Sequence, residues 1–215
     1  MAATSFKVKQ KVELLEVLVG WETANKYSVT DQAGNKVFYV GEESGCLSRI
    51  CCTLVRPFDM VVKDRSGQNI LQFSRGFSFG ILCCNCCCTD TLTVVATGGQ
   101  YLGCVEQSFS MSPLFHVKDS VGRIVAKIEG PFCPTSCAGS AVVFNIFDLA
   151  GNSIGTIKKE WGGLVREFFT DADYFSIGFP PNLDPTIKAL LLGALFMIDF
   201  RYFEDDGKGW GGAFT

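Results

Sequence analysis

Residues 83–88 read CCNCCC, so Cys83, Cys84, Cys86, Cys87 and Cys88 place five thiols in six positions. Three states suit such a run: metal ligands, acylated thiols, or small apolar side chains in a core. Zinc takes four ligands in a tetrahedron, usually from paired C-x2-C units set apart in sequence. Cys84 and Cys87 have that spacing, and Cys133 with Cys137 would complete a set. Adjacent thiols crowd one another in that geometry, and the lone histidine, His116, does not help. The preceding GFSFGIL is apolar enough to touch a bilayer, a setting that suits reversible acylation. One acyl chain holds a protein at a membrane only marginally, whereas two or more anchor it stably. The cluster therefore reads first as a multi-chain tether, with Cys51 and Cys52 as further candidates.

A second group with ligand chemistry is acidic. Asp171 and Asp173 are two apart, so in an extended chain they face one side about 7 Å apart. Two carboxylates so placed can share a calcium ion, with carbonyls and water completing the shell. Asn182 and Asp184 follow, the latter near the positive end of the helix it is expected to cap. An EF-hand would put ligands where Phe175, Ile177 and Phe179 stand, and glycine at Ser176. Any calcium affinity is expected to be low. The competing reading is a turn with solvated acids, then a strand that buries Phe175, Ile177 and Phe179.

The elements that must carry these groups show a repeat. YSVTDQAGNKVFYV, FDMVVKDRSGQNILQF, FHVKDSVGRIVAKI and FNIFDLAGNSIGTI each place D-x-x-G between two alternating apolar segments. The turn residues are Asp31 and Gly34, Asp64 and Gly67, Asp119 and Gly122, Asp148 and Gly151. Aspartate can accept a bond from its own backbone two residues on, and glycine accepts positive φ where the second strand begins. These acids are turn formers, not catalysts. TLTVVATGGQYLGCVEQ predicts a fifth hairpin at Gly98-Gly99. Irregular spacing between the hairpins excludes a regular propeller or solenoid.

After Pro180 the pattern changes to helix. Asp184 is a good N-cap, Pro185 suits the first helical position, and Ala189 to Ile198 is wholly apolar. Leu190, Leu191, Leu192, Leu195, Phe196 and Ile198 leave no polar face. A membrane span needs about 20 apolar residues, while shorter runs are more often buried core helices. A closed sheet of about ten or more strands has an interior that a central helix can fill. The plug is favoured over a transmembrane anchor.

The 215 residues fit one large domain, with strands over about 10–180, the helix over 185–203 and a tail over 204–215. Hydrophobic content of 47% excludes disorder, and a net charge of −3 offers no field for nucleic acid. Glu13 and Glu16 interrupt the N-terminal apolar stretch, so a secretion signal is not expected and the chain is expected to fold in the cytosol. Reduced thiols there, and an odd total of eleven cysteines, argue against a disulfide framework. No nucleophile elbow, P-loop, dinucleotide fingerprint or metalloprotease motif occurs, so an enzyme is not expected. His116 is expected to face solvent beside Lys118. Lys158 and Lys159 are read as an exposed strand face rather than a nuclear-import element.

EVLVGWETANKY (16–27), CCNCCC (83–88), EWGGLVREFFTDADYFSIGFP (160–180) and the apolar helix together resemble the phospholipid scramblases, over about residues 10–204. The resemblance implies a twelve-stranded tubby-like β-barrel around the C-terminal helix. It also implies calcium-dependent, two-way movement of membrane phospholipids between leaflets, and palmitoylated cysteines at the cytosolic side of the plasma membrane. In this family the segment 171–182 is the calcium loop. Its last position usually carries Asp, whereas this chain has Asn182. The family's Pro-rich N-terminal extension has no counterpart here, so WW or SH3 contacts are not expected. The alternative is an anchored tubby-like scaffold that binds phosphoinositides or protein partners without moving lipid. A path for headgroups is not evident in one chain, so a homo-oligomer is the expected transporting form.

Overall fold

The computed structural model describes residues 4–11, 25–43, 57–76, 89–134, 141–160 and 174–203. Twelve strands form in chain order: β1 (Ser5–Lys11), β2 (Lys26–Thr30), β3 (Lys36–Glu42), β4 (Phe58–Lys63), β5 (Asn69–Arg75) and β6 (Thr91–Ala96), then β7 (Gln100–Ser108), β8 (Leu114–Asp119), β9 (Ile124–Glu129), β10 (Val142–Phe147), β11 (Ser153–Glu160) and β12 (Tyr174–Gly178). Helix α1 (Pro185–Tyr202) follows. Each strand pairs antiparallel with its sequence neighbours, and β12 returns to pair with β1, closing a barrel. At that seam Phe6 lies opposite Ile177 and Val8 opposite Phe175, so both strands present their apolar phase inward.

Four of the five short turns share one chemistry. In each, the Asp backbone N–H donates to the carbonyl four residues on, at 2.9–3.0 Å, and the Gly N–H donates back to the Asp carbonyl at 3.0–3.2 Å. The carboxylate also accepts from the backbone N–H of Asn35, Gln68, Arg123 or Asn152. Gly34, Gly67, Gly122 and Gly151 have φ between 80° and 84°, which side chains with a Cβ disfavour. Side-chain bonds from Asn35, Ser66 and Asn152 hold Asp31, Asp64 and Asp148 below the usual carboxylate pKa. For Asp119 burial acts upward, but bonds from Arg123 and Val121 outweigh it. Gly98 and Gly99 make the fifth turn. All five turns lie at one end of the barrel, here the turn rim; the opposite end is the far rim.

Inside, α1 fills the lumen. Every residue from Lys188 to Phe200 is buried, and Leu190, Leu191, Leu192, Leu195, Phe196 and Ile198 are at most 1% exposed. The helix lacks a polar face because the sheet surrounds it on all sides, the condition under which an all-apolar helix is stable outside lipid. Aromatic rings fix its position: Phe196 lies 5.0 Å from Tyr27 and Phe200 stacks 4.0 Å from Phe58, by ring centroids. Gly193 passes so close to Leu92 and Val94 that a Cβ would press on both at 3.0–3.1 Å. Asp184 caps the helix, accepting from Thr186 N–H at 2.7 Å, and Pro185 takes the first turn. No helix of the described residues is long and apolar enough to cross a membrane. The expectation of a barrel plugged by its own C-terminal helix therefore describes the molecule.

Candidate functional site

The two rims differ in what they bury. At the turn rim the one buried charge among the described residues is Lys188, whose Nζ donates to the Pro181 carbonyl at 3.0 Å above the Phe179 ring. At the far rim five charged side chains among the described residues are buried: Glu42, Arg75, Asp90, Lys159 and Asp199. Each follows from strand or helix phase. Glu42, Arg75 and Lys159 stand two residues after the inward Val40, Phe73 and Ile157, so alternation turns them inward as well.

Arg75 ends β5 and Asp90 precedes β6, so they face each other across the mouth of the connection between those strands. Their fork is bidentate: Nε to Oδ1 at 2.7 Å and Nη2 to Oδ2 at 2.6 Å, with side chains 1% and 4% exposed. The guanidinium also stands over Phe58, which stacks on Phe200 of the helix. Asp199 accepts from the Tyr27 hydroxyl at 3.0 Å, and Asn25 donates to Glu42 at 2.7 Å. Gln107 donates to the Tyr202 hydroxyl at 3.1 Å, and burial pushes that phenol up. The far end of α1 is thus fixed by polar bonds as well as packing.

The residues singled out from sequence fall on both sides of this picture. Cys83, Cys84, Cys86, Cys87 and Cys88 lie outside the described residues, as do Cys51, Cys52, Cys137, Asp171 and Asp173. Cys133 is described and exposed, and no group of three His, Cys, Asp or Glu among the described residues is arranged to hold a metal. Asn182 is exposed beyond the turn-rim end of β12, and Asp184 is committed to its helix cap. Phe175 and Ile177 point into the core along β12, as the strand reading expected, and of the proposed calcium ligands Asp171 and Asp173 lie outside the described residues.

Two smaller readings need correction. Lys158 is exposed, but Lys159 points inward and lies 4.4 Å from the Phe203 ring centroid, so the pair is not one exposed face. His116 does sit on the outer face beside Lys118, yet it is half-buried and bonded to the Ser108 hydroxyl at 2.8 Å. Burial, then the charges of Lys127 and Lys118, lower its pKa.

A further feature of the outer wall was not apparent from sequence. Lys7 and Lys158 both lie opposite Ser176, one on each side, so two outward lysines flank a hydroxyl across three adjacent strands. Neither lysine is in an ion pair among the described residues.

Comparison with known proteins identifies a family for the chain. The scramblase family pattern matches residues 1–205. The chain is 39% identical over 203 residues to phospholipid scramblase 1 of Homo sapiens, covering 94% of this chain and 63% of that protein. It is 37% identical over 199 residues to phospholipid scramblase 2 of Bos taurus, covering 92% and 67% respectively. Phospholipid scramblase family member 5 of Homo sapiens is 34% identical over 204 residues, covering 94% and 74%. The chain spans 60–63% of the length of the scramblase 1 proteins it matches. No solved structure matches. With the family pattern matching nearly the whole chain and relatives 34–39% identical over about 200 residues, this protein belongs to the scramblase family.

Proposed function

We propose that the protein is a phospholipid scramblase, a membrane-tethered barrel that lets phospholipids exchange between leaflets in both directions. The observation that carries this reading is the family match over residues 1–205. The filled lumen constrains the mechanism. Leu190 to Ile198 leave no space for a headgroup, so lipid cannot move through the barrel. A polar lipid crosses hydrocarbon only where something lowers the cost of desolvating its headgroup. In this reading the outer wall and rims of several tethered copies thin or disorder the bilayer, and headgroups slip past the protein rather than through it.

The tether in this proposal is acylation of Cys83, Cys84, Cys86, Cys87 and Cys88 at the cytosolic side of the plasma membrane. Calcium dependence in this proposal rests on Asp171 and Asp173, with Asn182 and Asp184 as further oxygen donors, the latter also capping α1 through Oδ1. Reconstitution into liposomes with a leaflet-labelled phospholipid tests the activity. Exchange that rises with protein and with calcium up to millimolar supports the reading, and label that stays in place overturns it. Normal exchange by an Asp171→Ala, Asp173→Ala double variant removes the calcium role alone. Mass spectrometry of residues 83–88 from cell-derived protein should find acyl groups.

The lysine pair around Ser176 favours a second reading, an anchored scaffold that holds phosphoinositide headgroups without moving lipid. Strand spacing puts the two lysine Cα atoms about 10 Å apart, a span that suits a phosphorylated headgroup. Phosphoinositide binding that is lost in K7Q/K158Q, in a protein inert in the exchange assay, would select the scaffold.

A further inference from the structure

We propose that Phe109, Met111 and Phe132 form a membrane-inserting edge of the barrel, whose partner is the interfacial zone of a phospholipid bilayer. The inference rests on the reading that this chain works at a bilayer, and it assigns the surface that touches it.

These side chains are 73%, 87% and 68% exposed. Single exposed apolar residues are ordinary on proteins, but grouped ones mark contact surfaces. Phe109 and Met111 stand in the connection between β7 and β8, and Phe132 lies just past β9, the next strand in the sheet. Gly130 N–H donates to the Pro113 carbonyl at 2.8 Å, tying the two connections together. Both lie at the far rim. β6, the neighbour of β7, is where the chain returns from the cysteine-bearing segment, so tips and tether attach to adjoining strand ends.

Charge placement selects the bilayer. QSFSMSPLF (107–115) and GPFCP (130–134) contain no charged residue, and the exposed Glu129 just before the second stretch ends β9, on the strand side of the tips. Serines 108, 110 and 112 alternate with the apolar tips, which matches a zone where acyl chains meet hydrated headgroups. The turn rim also exposes Val121 and Leu149, at 70% and 65%. Those tips stand beside Asp119 and Asp148, whose carboxylates are kept ionised by their turn bonds, so inserting them would drag charge into lipid. A second copy is the poorer occupant. Three such side chains offer roughly 500 Å² at most, against about 800 Å² per partner in a stable dimer.

The test uses the full chain produced without acylation and vesicles of phosphatidylcholine. Wild type should float with the vesicles, and F109S/M111S/F132S should lose about tenfold or more in partition. The opposite-rim variant V121S/L149S should bind as wild type. All five sites are exposed, so unchanged thermal unfolding will verify the fold of both variants. Bromine-labelled lipid should quench the added fluorescence of F132W and leave that of V121W. The proposal is overturned if wild type does not bind, if the triple variant binds within twofold of wild type, or if the triple substitution dissolves a dimer and leaves vesicle binding intact. Loss of lipid exchange with vesicle binding preserved would instead sink the functional reading and leave this one standing.

Discussion

The turn rim and the far rim are built on opposite principles. Four of the five turns at the turn rim are largely local devices, each closed within five residues by an aspartate, a glycine with positive φ and a few backbone bonds. A few bonds join neighbouring turns, such as Arg65 Nε to the Lys36 carbonyl at 2.6 Å. The far rim is held by pairs distant in sequence. Arg75 meets Asp90 across 15 residues, and Tyr27 meets Asp199 across 172. A self-contained turn can be altered with local consequences, whereas a buried charge whose partner is removed is left uncompensated in a dry interior. The rim that carries the long connections is also the one whose geometry depends on the whole fold.

The largest effect expected from this contrast is at the Arg75–Asp90 fork. Asp90→Ala should cost about 3–5 kcal/mol in chemical denaturation, because it strands a buried guanidinium. An Arg75→Met, Asp90→Leu double variant should recover most of that loss, which would separate the cost of an orphaned charge from any net contribution of the pair. Equal losses in single and double variants would mean that the fork itself stabilises the rim.

Next is a crowding test near the turn rim. A Cβ at Gly155 would overlap the Gly178 carbonyl oxygen on β12. Gly155→Ala should therefore destabilise by about 2 kcal/mol or more, by forcing β11 and β12 apart. This position is an exception to the locality of its rim, since Gly155 meets a residue of the next strand, beyond the connection from β11 to β12. A loss under 0.5 kcal/mol, read on the general scale for surface changes, would mean that the strands adjust freely.

The isolated turns should respond less. Gly122→Ala should cost about 1–2 kcal/mol, the penalty of a Cβ at left-handed φ. Asp148→Ala should cost about 1 kcal/mol, as lost caps do elsewhere. Because no hydrogen bond or ion pair among the described residues joins the two turns, combining the changes should give additive losses in thermal unfolding. Coupling between them would contradict their independence.

The smallest expected effect is a pH dependence at His116. Its pKa is lower in the folded chain, so the unfolded chain binds more protons near neutrality. The stability linked to this imidazole is complete above its ordinary value of about 6.5 and declines as pH falls below it. Ser108, Glu106, Lys118 and Lys127 are the polar groups around it. His116→Gln should reduce the fall in stability between about pH 7.5 and 5.5 by a few tenths of a kcal/mol, given its partial exposure. An unchanged slope would place the titration elsewhere.

Most of the barrel was legible because antiparallel hairpins are written locally. The D-x-x-G turns and the alternation around them announce the pairs β2–β3, β4–β5, β8–β9 and β10–β11, and the Gly98-Gly99 turn adds β6–β7. Phase is legible too: the step from Phe73 to Arg75, or from Ile157 to Lys159, already sends a charge inward. The acidic segment illustrates the limit: spacing alone does not reveal that β12 is a strand paired on both sides, with Phe175 and Ile177 facing the core.

By itself the sequence determined the hairpins, the capped apolar helix and the acidic turns, since these depend on φ preferences, side-chain period and bonds within a few residues. It could not determine that β1 meets β12, that Arg75 meets Asp90, or that Phe109, Met111 and Phe132 share one edge. Those juxtapositions exist only once the sheet has curved through a full turn around α1. Closure brings together residues separated by most of the chain, and no local energy term specifies it.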